Sequence, residues 1–333
     1  MVNSQGGVRS IKKFGMHTPM FVPSFSSKGF PHVKSLHHYL KEKLTYASLV
    51  SSYDLHYEQL DIDNIYESEI LFIDSGGYER NYDHDISDIY GTLHFPSEWN
   101  EELFEKQVEK IAPITDIVLV NFDYIDKSLP LEEQIYRAKV LFEKYPGYAS
   151  DFLIKPISSE EILINVDEVI NKVSFLESFD ILGFTEKELG SSILDRASNI
   201  YKIRKALSGV GMDTPIHIFG CLDPLSATLY FLCGADIFDG LSWLRFSFNN
   251  GTATYLNQYS INSGLWNRDE NEMKLIAYSE NLDELSVLKN KLENFHRSSK
   301  LEDLGLKDSD LREILLIFEQ INQRVGDIMY GRK

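Results

Sequence analysis

Acidic side chains recur at the carboxyl ends of short apolar segments in this sequence. Asp54 follows the second such segment, and Asp74 lies in the third. Asp123 lies in the fourth segment and Asp239 in the eighth. A carboxylate inside an apolar segment costs on the order of several kcal/mol unless it is paired or needed for chemistry. Two carboxyl groups in one pocket can act as nucleophile and proton-transfer partner, so we expect these residues to converge on one site.

Eight apolar segments have the length and the Val, Ile, Leu and Phe content of β-strands. Because they are apolar almost without interruption, both faces of each strand are expected to be buried, as in a parallel sheet. The segments are Met20–Phe25, Tyr46–Tyr53, Ile70–Gly77, Asp116–Tyr124, Asp151–Ile157, Asp180–Thr185, Pro215–Cys221 and Asp236–Trp243.

Helical periodicity fills most of the gaps between these segments. Apolar residues from Trp99 to Ile111 lie on one side of a predicted helix that Ser97 can cap. In the segment DPLSATLYFLCG, Asp223 fits the N-cap position and Gly234 fits the C-terminal stop. The chain therefore alternates between strands and helices along most of its length.

Eight strands that alternate with helices predict an α/β fold, a (β/α)8 TIM-type barrel with a C-terminal helical appendage. The alternative is an open doubly wound sheet, but the sequence has no Gly-rich phosphate loop to mark one. In such barrels the carboxyl ends of the strands carry the chemistry. The acidic residues fall at these ends, and Lys155 falls there in the fifth segment.

The last part of the chain predicts two helices. The first carries leucines from Leu285 to Leu292 at helical spacing, with Asn281 and Glu284 placed for a capping box. The second carries an apolar stripe that packs on the barrel or pairs with a partner subunit. We therefore predict a barrel over residues 1–296 and a helical extension over residues 297–333, with a homodimer or partner protein left open.

Composition restricts the class of protein. The 333 residues carry a formal charge of −18, from 51 acidic and 33 basic side chains, which counts against non-specific nucleic-acid binding but not against a local basic strip. Two cysteines exclude a disulfide framework. The N-terminus has no apolar signal region, and no apolar run is long enough to cross a bilayer. We therefore expect a cytoplasmic protein without a membrane partner.

Several motifs resemble the tRNA-guanine transglycosylase superfamily. The segment IDSGGY, which ends at Tyr78, resembles that superfamily's Asp-Ser-Gly-Gly-aromatic motif. The segment DIFDGLSWLR resembles the strand with a nucleophilic aspartate, followed six residues later by an arginine. VNFDY resembles the strand with a base-reading aspartate, and DILGF resembles the loop under the base. The resemblance covers roughly residues 11–296, and its first two motifs form a fairly specific pair.

The resemblance implies a base-exchange reaction on a polynucleotide without a cofactor. Asp239 would attack the sugar C1′ and form a covalent glycosyl-enzyme intermediate, and Asp74 would transfer the proton for base departure and entry. The implied product carries a 7-deazaguanine in place of guanine. The chemistry agrees with elementary expectation, because one carboxylate can capture an oxocarbenium-like centre while a second serves proton transfer.

The resemblance also assigns residues that hold the base and the strand. Asp123 would read the amino and ring N–H groups of a guanine-like edge, and Tyr78 would stack on the base. Ser75 and Lys155 would line the same base pocket, with Lys155 standing where the superfamily usually has glutamine. The remaining assignments are backbone contacts to the base from Gly183 and Phe184, and a phosphate contact from Arg245.

The superfamily's Cys-x-Cys-x-x-Cys…His zinc module is missing from this sequence. The only cysteines are Cys221 and Cys233, both before Asp239, and His296 is the only later histidine. A tetrahedral structural zinc cannot be assembled from these residues, so we expect no metal. Because the module helps to place tRNA, its absence favours the DNA-acting, DpdA-like relatives, which install a 7-deazaguanine precursor in bacterial or phage DNA. Transfer RNA remains the alternative substrate.

Five of the assigned residues also have a purely structural interpretation. Asp239 is suited to a helix N-cap, and Tyr78 to an apolar core. Asp123 and Lys155 are suited to ion pairs inside the barrel, and Arg245 to a surface salt bridge.

Two loops carry further alternatives. Asp83, His84 and Asp85 have metal-binding side chains, but a solvated loop or an active-site lid is the preferred interpretation. The segment Ser247–Asn271 stands where the zinc module would be, and it is either a structured loop or a surface that contacts the substrate strand.

Two other functions compete with base exchange. A non-catalytic barrel subunit of a nucleic-acid-modifying complex would fit the acidic charge, but it has no need of two catalytic-type aspartates. A nucleoside or N-glycoside hydrolase would also use paired carboxylates, because a fold does not determine a function. A basic channel beside Arg245 and a requirement for polymeric substrate would separate base exchange from hydrolysis.

Overall fold

A closed barrel of eight parallel β-strands forms the centre of the molecule. The computed structural model describes residues 4–81, 94–124, 129–158 and 161–330, with side chains as far as Val325. We label the barrel strands in chain order as β1 (Met20–Phe25), β2 (Ala47–Ser51), β3 (Ile70–Asp74), β4 (Asp116–Val120), β5 (Ala149–Ile154), β6 (Ile181–Thr185), β7 (Ile216–Phe219) and β8 (Ile237–Gly240). A short antiparallel pair, Ser10–Ile11 with Met16–His17, precedes the barrel.

The barrel closes because β8 pairs with β1 as well as with β7. Phe238 is in register with Phe21 on one side and with Ile218 on the other. Strands that are consecutive in the chain are neighbours and parallel, as crossover connections through helices require. The predicted (β/α)8 TIM-type barrel with C-terminal helices is therefore confirmed, and the open-sheet alternative is wrong.

Strand side chains alternate between the barrel interior and an outer layer. An apolar cluster that includes Val22 and Phe72 fills the interior. A larger apolar cluster that includes Phe152 and Phe238 lies between the strands and the surrounding helices. Towards the carboxyl ends of the strands the interior positions become polar, so the barrel presents its reactive side chains at that end.

Helices cover the outside of the barrel and extend the chain beyond β8. The α-helices are Val33–Leu40, Ser52–His56, Gly77–Arg80, Glu101–Val108, Leu131–Lys144, Val166–Asn171, Ile193–Gly209, Pro224–Cys233, Leu256–Asn262, Glu270–Ser298 and Asp308–Tyr330. Short 3-10 turns occur at Lys41–Lys43, Ile62–Asn64, Val173–Leu176, Glu186–Leu189, Ser242–Leu244 and Leu301–Leu304. Within the described ranges, none of the helices has the length and apolarity needed to cross a membrane.

The helix before β8 begins and ends where the sequence predicts. The Asp223 side chain accepts a hydrogen bond from the N–H of Ser226 at 2.8 Å. Pro224 occupies the first turn, where a missing N–H costs nothing. Gly234 ends the helix with φ 108°, a left-handed conformation that favours glycine.

The predicted cap at Ser97 is wrong. Asn100 caps the helix Glu101–Val108, because its Oδ1 accepts the N–H of Leu103 at 3.0 Å. The Ser97 N–H donates instead to the hydroxyl of Tyr53 at 2.7 Å. The extended residues between Ser97 and Asn100 place the indole of Trp99 against the barrel mouth before the helix begins.

The segment after β8 forms ordered structure where the resemblance places a zinc module. The strands Phe246–Asn249 and Thr252–Tyr255 make an antiparallel hairpin, and the helix Leu256–Asn262 follows it. The helix Glu270–Ser298 then packs against the hairpin. The interpretation of this segment as a structured loop is therefore confirmed. A contact with a substrate strand stays a prediction.

The predicted capping box at Asn281 and Glu284 is wrong. Asn281 lies in the middle of the helix Glu270–Ser298, whose N-cap is Asp269. The helix begins at Glu270, well before Asn281. The polar side chain of Asn281 is buried in the contact with the hairpin instead of being exposed at a helix end.

Asn281 joins this helix to the chain that follows β8. Its Nδ2 donates to the carbonyl oxygens of Trp243 at 2.6 Å and Phe246 at 2.7 Å. Its Oδ1 accepts the N–H of Phe248 at 2.6 Å. One buried amide thus satisfies three backbone groups that have left the barrel ladder.

The C-terminal helix Asp308–Tyr330 packs against the helix Ile193–Gly209 of the barrel. Ile314, Phe318 and Ile321 are buried. Arg324 forms an ion pair with Asp195 at 2.7 Å on the same side. The apolar stripe of this extension therefore packs on the barrel, as one of the two sequence alternatives predicts.

Asn281→Ala should lower the free energy of unfolding by about 2–4 kcal/mol. The substitution leaves three backbone groups without their partner, and each lost hydrogen bond costs about 1 kcal/mol. Urea unfolding measures the change. Asn290→Ala, on an exposed position of the same helix, should change stability by less than about 0.5 kcal/mol. Equal effects of the two substitutions would contradict the assigned role of Asn281.

Candidate active site

A cavity of about 370 Å³ opens at the carboxyl ends of the barrel strands. Each strand, or the residues directly after it, contributes a side chain to its wall. In strand order these are Ser24, Ser51, Asp74, Asp123, Lys155, Thr185, Phe219 and Asp239. Leu49, Leu153 and Phe219 also belong to the interior apolar cluster and form the cavity floor. The volume falls within the range of about 300–1,000 Å³ that is typical of small-molecule sites.

Most of the site residues proposed from the sequence line this cavity. They are Asp74, Ser75, Tyr78, Asp123, Lys155, Asp239 and Arg245. Gly183 and Phe184 are not part of its wall. Phe184 is fully buried in the outer layer, between β6 and the helices. The sequence therefore brings the two catalytic-type aspartates and five of the seven other assigned residues to one opening.

Asp239 lies within β8 with both carboxylate oxygens held by donors. Its Oδ2 accepts the Ser24 hydroxyl at 2.7 Å, and its Oδ1 accepts the N–H of Gly220 at 3.1 Å. The Nε2 of His217 lies 3.3 Å from Oδ1. These contacts hold the carboxylate in a fixed position in the cavity wall. The alternative of Asp239 as a helix N-cap is wrong, because the residue is in the strand ladder.

Asp74 ends β3 in a less favourable environment for charge. Burial, followed by the negative charges of Glu79 and Asp239, raises the pKa of Asp74 to about 7. The N–H of Gly76 donates to its Oδ2 at 2.9 Å and opposes this rise only in part. A carboxyl group with a pKa near neutrality can both carry and release a proton, so it is suited to acid and base roles in turn.

Two glycines of the motif after β3 allow close approaches that form the site. Gly76 has φ 84°, and a Cβ there would lie 2.7 Å from Cβ of Tyr53 and 2.8 Å from Nε1 of Trp99. A Cβ on Gly77 would lie 2.9 Å from Oδ2 of Asp123. The glycine pair therefore lets the Asp123 carboxylate reach the cavity beside the turn.

Ser75 stands between these elements with a backbone contact and a buried hydroxyl. Its carbonyl accepts the indole N–H of Trp99 at 2.8 Å. Its hydroxyl is buried and has no hydrogen-bond partner among the described residues. Ser75 lines the cavity, but its hydroxyl oxygen has almost no exposed surface there.

A charged group lies on the part of the wall that follows β4, β5 and β6. It consists of Asp123, Lys155 and Glu188. Lys155 Nζ lies 3.2 Å from Oδ2 of Asp123 and 2.6 Å from Oε1 of Glu188. Burial lowers the pKa of Lys155, but the two carboxylates outweigh it and raise the pKa above its ordinary value. The ion-pair interpretation of Asp123 and Lys155 is thus confirmed, and both groups still line the cavity.

Tyr78 and Arg245 meet at the cavity mouth. Tyr78 is 38% exposed, so it is not an apolar core residue. An Arg245 guanidinium nitrogen lies 3.4 Å from the Tyr78 hydroxyl. Lys28 Nζ lies 4.4 Å from the centre of the Tyr78 ring and donates to the Tyr78 carbonyl oxygen at 3.0 Å. Two cations therefore fix the orientation of this ring at the entrance.

A buried pair that the sequence did not predict lies beneath Asp239. His217 in β7 and Asp151 in β5 are both fully buried, and His217 Nδ1 lies 2.6 Å from Oδ2 of Asp151. One feature of the sequence could have indicated this pair, namely a polar residue in an otherwise apolar strand. Asp151 begins its segment, and His217 interrupts PIHIF. Pairing across two strands that are far apart in sequence could not be predicted from these signals.

Glu79 was also missed, although it lines the cavity beside a second buried acid. Its Oε2 accepts the Ser51 hydroxyl at 2.8 Å. Asp54 accepts the N–H of Ser27 at 2.7 Å. Burial, followed by the charge of Glu79, raises the pKa of Asp54 well above its ordinary value. Of these two acids, Glu79 places negative charge beside Asp74 and helps to keep the Asp74 proton in place.

Gly183 acts on the cavity through Phe219 rather than by lining it. A Cβ at Gly183 would lie 2.6 Å from the Phe219 ring and 2.9 Å from Oδ1 of Asp151. The missing side chain therefore leaves room for the ring to form the floor. The Phe219 ring also lies 3.9 Å from the His217 ring, centre to centre.

Metal ligands do not cluster in the part of the chain that the structure describes. Among the described residues, no group of three or more His, Cys, Asp or Glu side chains could hold a metal ion. Cys221 and Cys233 are free and buried. Asp83, His84 and Asp85 lie outside the described residues.

Comparisons with protein families and curated proteins gave no match. The sequence matches no protein-family model. It also matches no curated protein at a significant level. The resemblance to the transglycosylase superfamily therefore depends on the motif residues and on where the barrel places them.

Asp74→Asn should stabilise the protein above neutral pH. An aspartate in the unfolded chain loses its proton near pH 4, whereas folded Asp74 keeps it until about pH 7. The folded wild-type protein binds the extra proton between these values, so its free energy of unfolding falls as the pH rises through this range. A pKa difference of one corresponds to about 1.4 kcal/mol. The asparagine variant should therefore gain on the order of 2–4 kcal/mol above pH 7, and little near pH 4.

Urea unfolding at several pH values measures this gain. Asp167→Asn, at an exposed position, is the matched control and should show no comparable trend. A gain from Asp74→Asn that is the same at low and high pH would mean that the folded protein does not hold a proton on Asp74.

Proposed function

We propose that this protein is a base-exchange transglycosylase that replaces guanine by a 7-deazaguanine derivative in a polynucleotide. The observation that carries the proposal is the cavity shared by Asp239 and Asp74, two carboxyl groups with opposite environments. Asp239 is held by a hydroxyl and a backbone N–H, whereas burial and the nearby negative charge of Glu79 favour the proton on Asp74. A divided pair of this kind supplies a nucleophile and an acid at one pH.

In the first step the Asp239 carboxylate attacks C1′ of the target nucleotide. A new C1′–O bond forms while the C1′–N bond to guanine breaks, and the bonding pair leaves with the base. Asp74 gives its proton to the departing base, which leaves neutral. The product is a glycosyl ester on Asp239 and an ionised Asp74.

In the second step the incoming 7-deazaguanine replaces the ester. Its ring N–H proton passes to Asp74, and the nitrogen attacks C1′ while the C1′–O bond breaks. The electron pair returns to the Asp239 carboxylate, and Asp74 is again protonated. Two displacements retain the configuration at C1′, and no cofactor is consumed.

Asp123 and Lys155 support recognition of a guanine-like edge. Such an edge presents a carbonyl acceptor beside ring and amino N–H donors. Lys155 Nζ lies 3.2 Å from Oδ2 of Asp123, so a cationic donor stands next to an anionic acceptor. The exposed Tyr78 ring at the mouth adds a surface for stacking, worth about 1–3 kcal/mol per base.

Arg245 supports a polymeric substrate over a free nucleoside. It lines both the cavity and a second surface depression, whose wall includes Tyr255, Gln258 and Lys274. Tyr255 is 74% exposed and offers a stacking surface beside that depression. A strand that extends from a flipped nucleotide could follow this path. DNA is favoured over tRNA because the cysteines of the zinc module are missing from the sequence.

Base incorporation tests this function directly. DNA and tRNA are incubated in parallel with labelled 7-deazaguanine bases and the full-length protein. We expect label to enter DNA with the wild-type protein and not with Asp239→Asn. Asp180→Asn is the control, because Asp180 precedes β6 at the opposite end of the barrel, where it accepts hydrogen bonds from Ser150.

Three results would point elsewhere. Label in neither polymer would reject base exchange. Release of base from free nucleosides, without incorporation, would support the hydrolase alternative. Incorporation by Asp239→Asn at the wild-type rate would show that the nucleophile is another residue.

Lys155→Met should weaken binding of the incoming base. The KM for the base should rise about 10- to 100-fold, because a charge-assisted hydrogen bond contributes about 1.5–3 kcal/mol. Steady-state incorporation at varied base concentration measures this. Lys172→Met is the matched control, since Lys172 also bridges two carboxylates, Glu132 and Glu168, and does not line the cavity. An unchanged KM in Lys155→Met would limit Lys155 to an ion-pairing role.

A further inference from the structure

A buried chain of three titratable groups runs from the barrel interior to the cavity. His217 stands in β7 between Asp151 of β5 and Asp239 of β8. Its Nδ1 lies 2.6 Å from Oδ2 of Asp151, and its Nε2 lies 3.3 Å from Oδ1 of Asp239. The Asp151 and His217 side chains are fully buried, and Asp239 is 8% exposed. Only the last member of this chain therefore reaches the cavity.

The charges around the imidazole favour its protonated form. Burial lowers the pKa of His217, but Asp151 and then Asp239 outweigh it and raise the pKa to about 9. The rings of Phe72 and Phe219 pack on the imidazole and bring no further charge. Burial also raises the pKa of Asp151, while His217 opposes this rise. We assign the proton to His217, because an imidazolium has two N–H groups and faces two carboxylates.

The two oxygens of Asp239 are held unequally. Oδ1 accepts the N–H of Gly220 and faces His217, both of which are fixed in the barrel. The contact with His217 is electrostatic rather than a well-aligned hydrogen bond. Oδ2 accepts only the Ser24 hydroxyl among the described donors, and a hydroxyl can rotate away. Oδ2 is therefore the oxygen that can be released to react.

We propose that His217, held by Asp151, is a positioning residue that anchors Oδ1 of Asp239, leaves Oδ2 to attack C1′, and stabilises the carboxylate when it departs again. This inference rests on the proposed function and assigns work to groups that do not touch the substrate. The pair beneath the nucleophile becomes part of the second displacement rather than a structural contact alone.

The electrostatics of the two steps differ in a way that reveals this role. When Oδ2 bonds to C1′, Asp239 becomes a neutral ester and the imidazolium loses one partner. When the C1′–Oδ2 bond breaks, its electron pair returns to Asp239, and the charge is shared with Oδ1 beside His217. The imidazolium therefore stabilises the free carboxylate relative to the ester. This effect accelerates ester breakdown and opposes ester formation, while the positioning of Oδ2 favours formation, so the net change in formation is the smaller one.

Single-turnover measurements with the full-length protein separate the two steps. Wild-type protein and polynucleotide form the covalent adduct, and labelled 7-deazaguanine is then added to resolve it. Asp151→Asn keeps the shape of the side chain but removes the charge that holds the proton on His217. His217→Gln removes the imidazole. In both variants we expect breakdown of the adduct to slow at least about tenfold, with a smaller change in its formation and a larger trapped fraction on denaturing gels.

The pH dependence of the wild-type protein gives a readout that needs no substitution. Breakdown requires ionised Asp74 and protonated His217, so its rate should rise and then fall with increasing pH. Both limbs should lie below the pKa values of the free protein, about 7 for Asp74 and about 9 for His217, because Asp239 is a neutral ester in the adduct and no longer raises either pKa. In Asp151→Asn the upper limb should move to lower pH, because the imidazole is more easily deprotonated. A merely structural role for His217 would leave this limb in place.

Asp180→Asn is again the control. It removes a carboxylate that hydrogen-bonds to Ser150, the residue next to Asp151 in β5, rather than to His217. It should leave the ratio of the two rates unchanged. Folded Asp151→Asn or His217→Gln protein that resolves the adduct at the wild-type rate would overturn the inference. So would a wild-type breakdown rate that stays level through pH 9, even if neither variant folds. A wild-type protein that forms no adduct and incorporates no base would instead reject the proposed function.

Discussion

Removal of carboxyl groups from water at the barrel mouth is the constraint on which the rest of this site depends. An ionised carboxylate in a poorly hydrated cavity requires compensating donors or cations, and without them it takes up a proton. Asp239 has a hydroxyl, a backbone N–H and an imidazole close to it, and Asp123 has Lys155. Asp74 has fewer donors and more negative neighbours, which raises its pKa. The division of roles follows from this unequal supply of partners.

The backbone makes these partnerships possible by omitting side chains where groups must approach closely. Gly76 provides the left-handed turn that brings Trp99 to the mouth, and Gly77 leaves space for the Asp123 carboxylate. Gly183 leaves space for Phe219, which covers the buried histidine and forms the floor. Gly183, which the resemblance assigns to a base contact, therefore lies one layer below the cavity wall. The missing side chains at Gly77 and Gly183 thus determine where the wall and the floor of the cavity lie.

The region after β8 connects Asp239 to the surface. The chain leaves the barrel at Gly240 and would expose several backbone groups, but Asn281 binds three of them. This anchoring holds Arg245 at the cavity mouth, beside Tyr78. The protein as a whole is strongly acidic, so under the proposed function local cations of this kind would supply the attraction for phosphates that the net charge does not.

The sequence by itself determined the eight strands, their order and the convergence of Asp74, Asp123 and Asp239, because strand periodicity is local and parallel barrels align carboxyl ends. It did not determine that Asn281 lies within a helix, nor that Phe184 points away from the cavity, because both depend on which surface a neighbouring element covers. The pairing of His217 with residues of β5 and β8 was decided only by closure of the barrel. Charge states at this mouth arise from distances between strands, and such distances exist only in the folded chain.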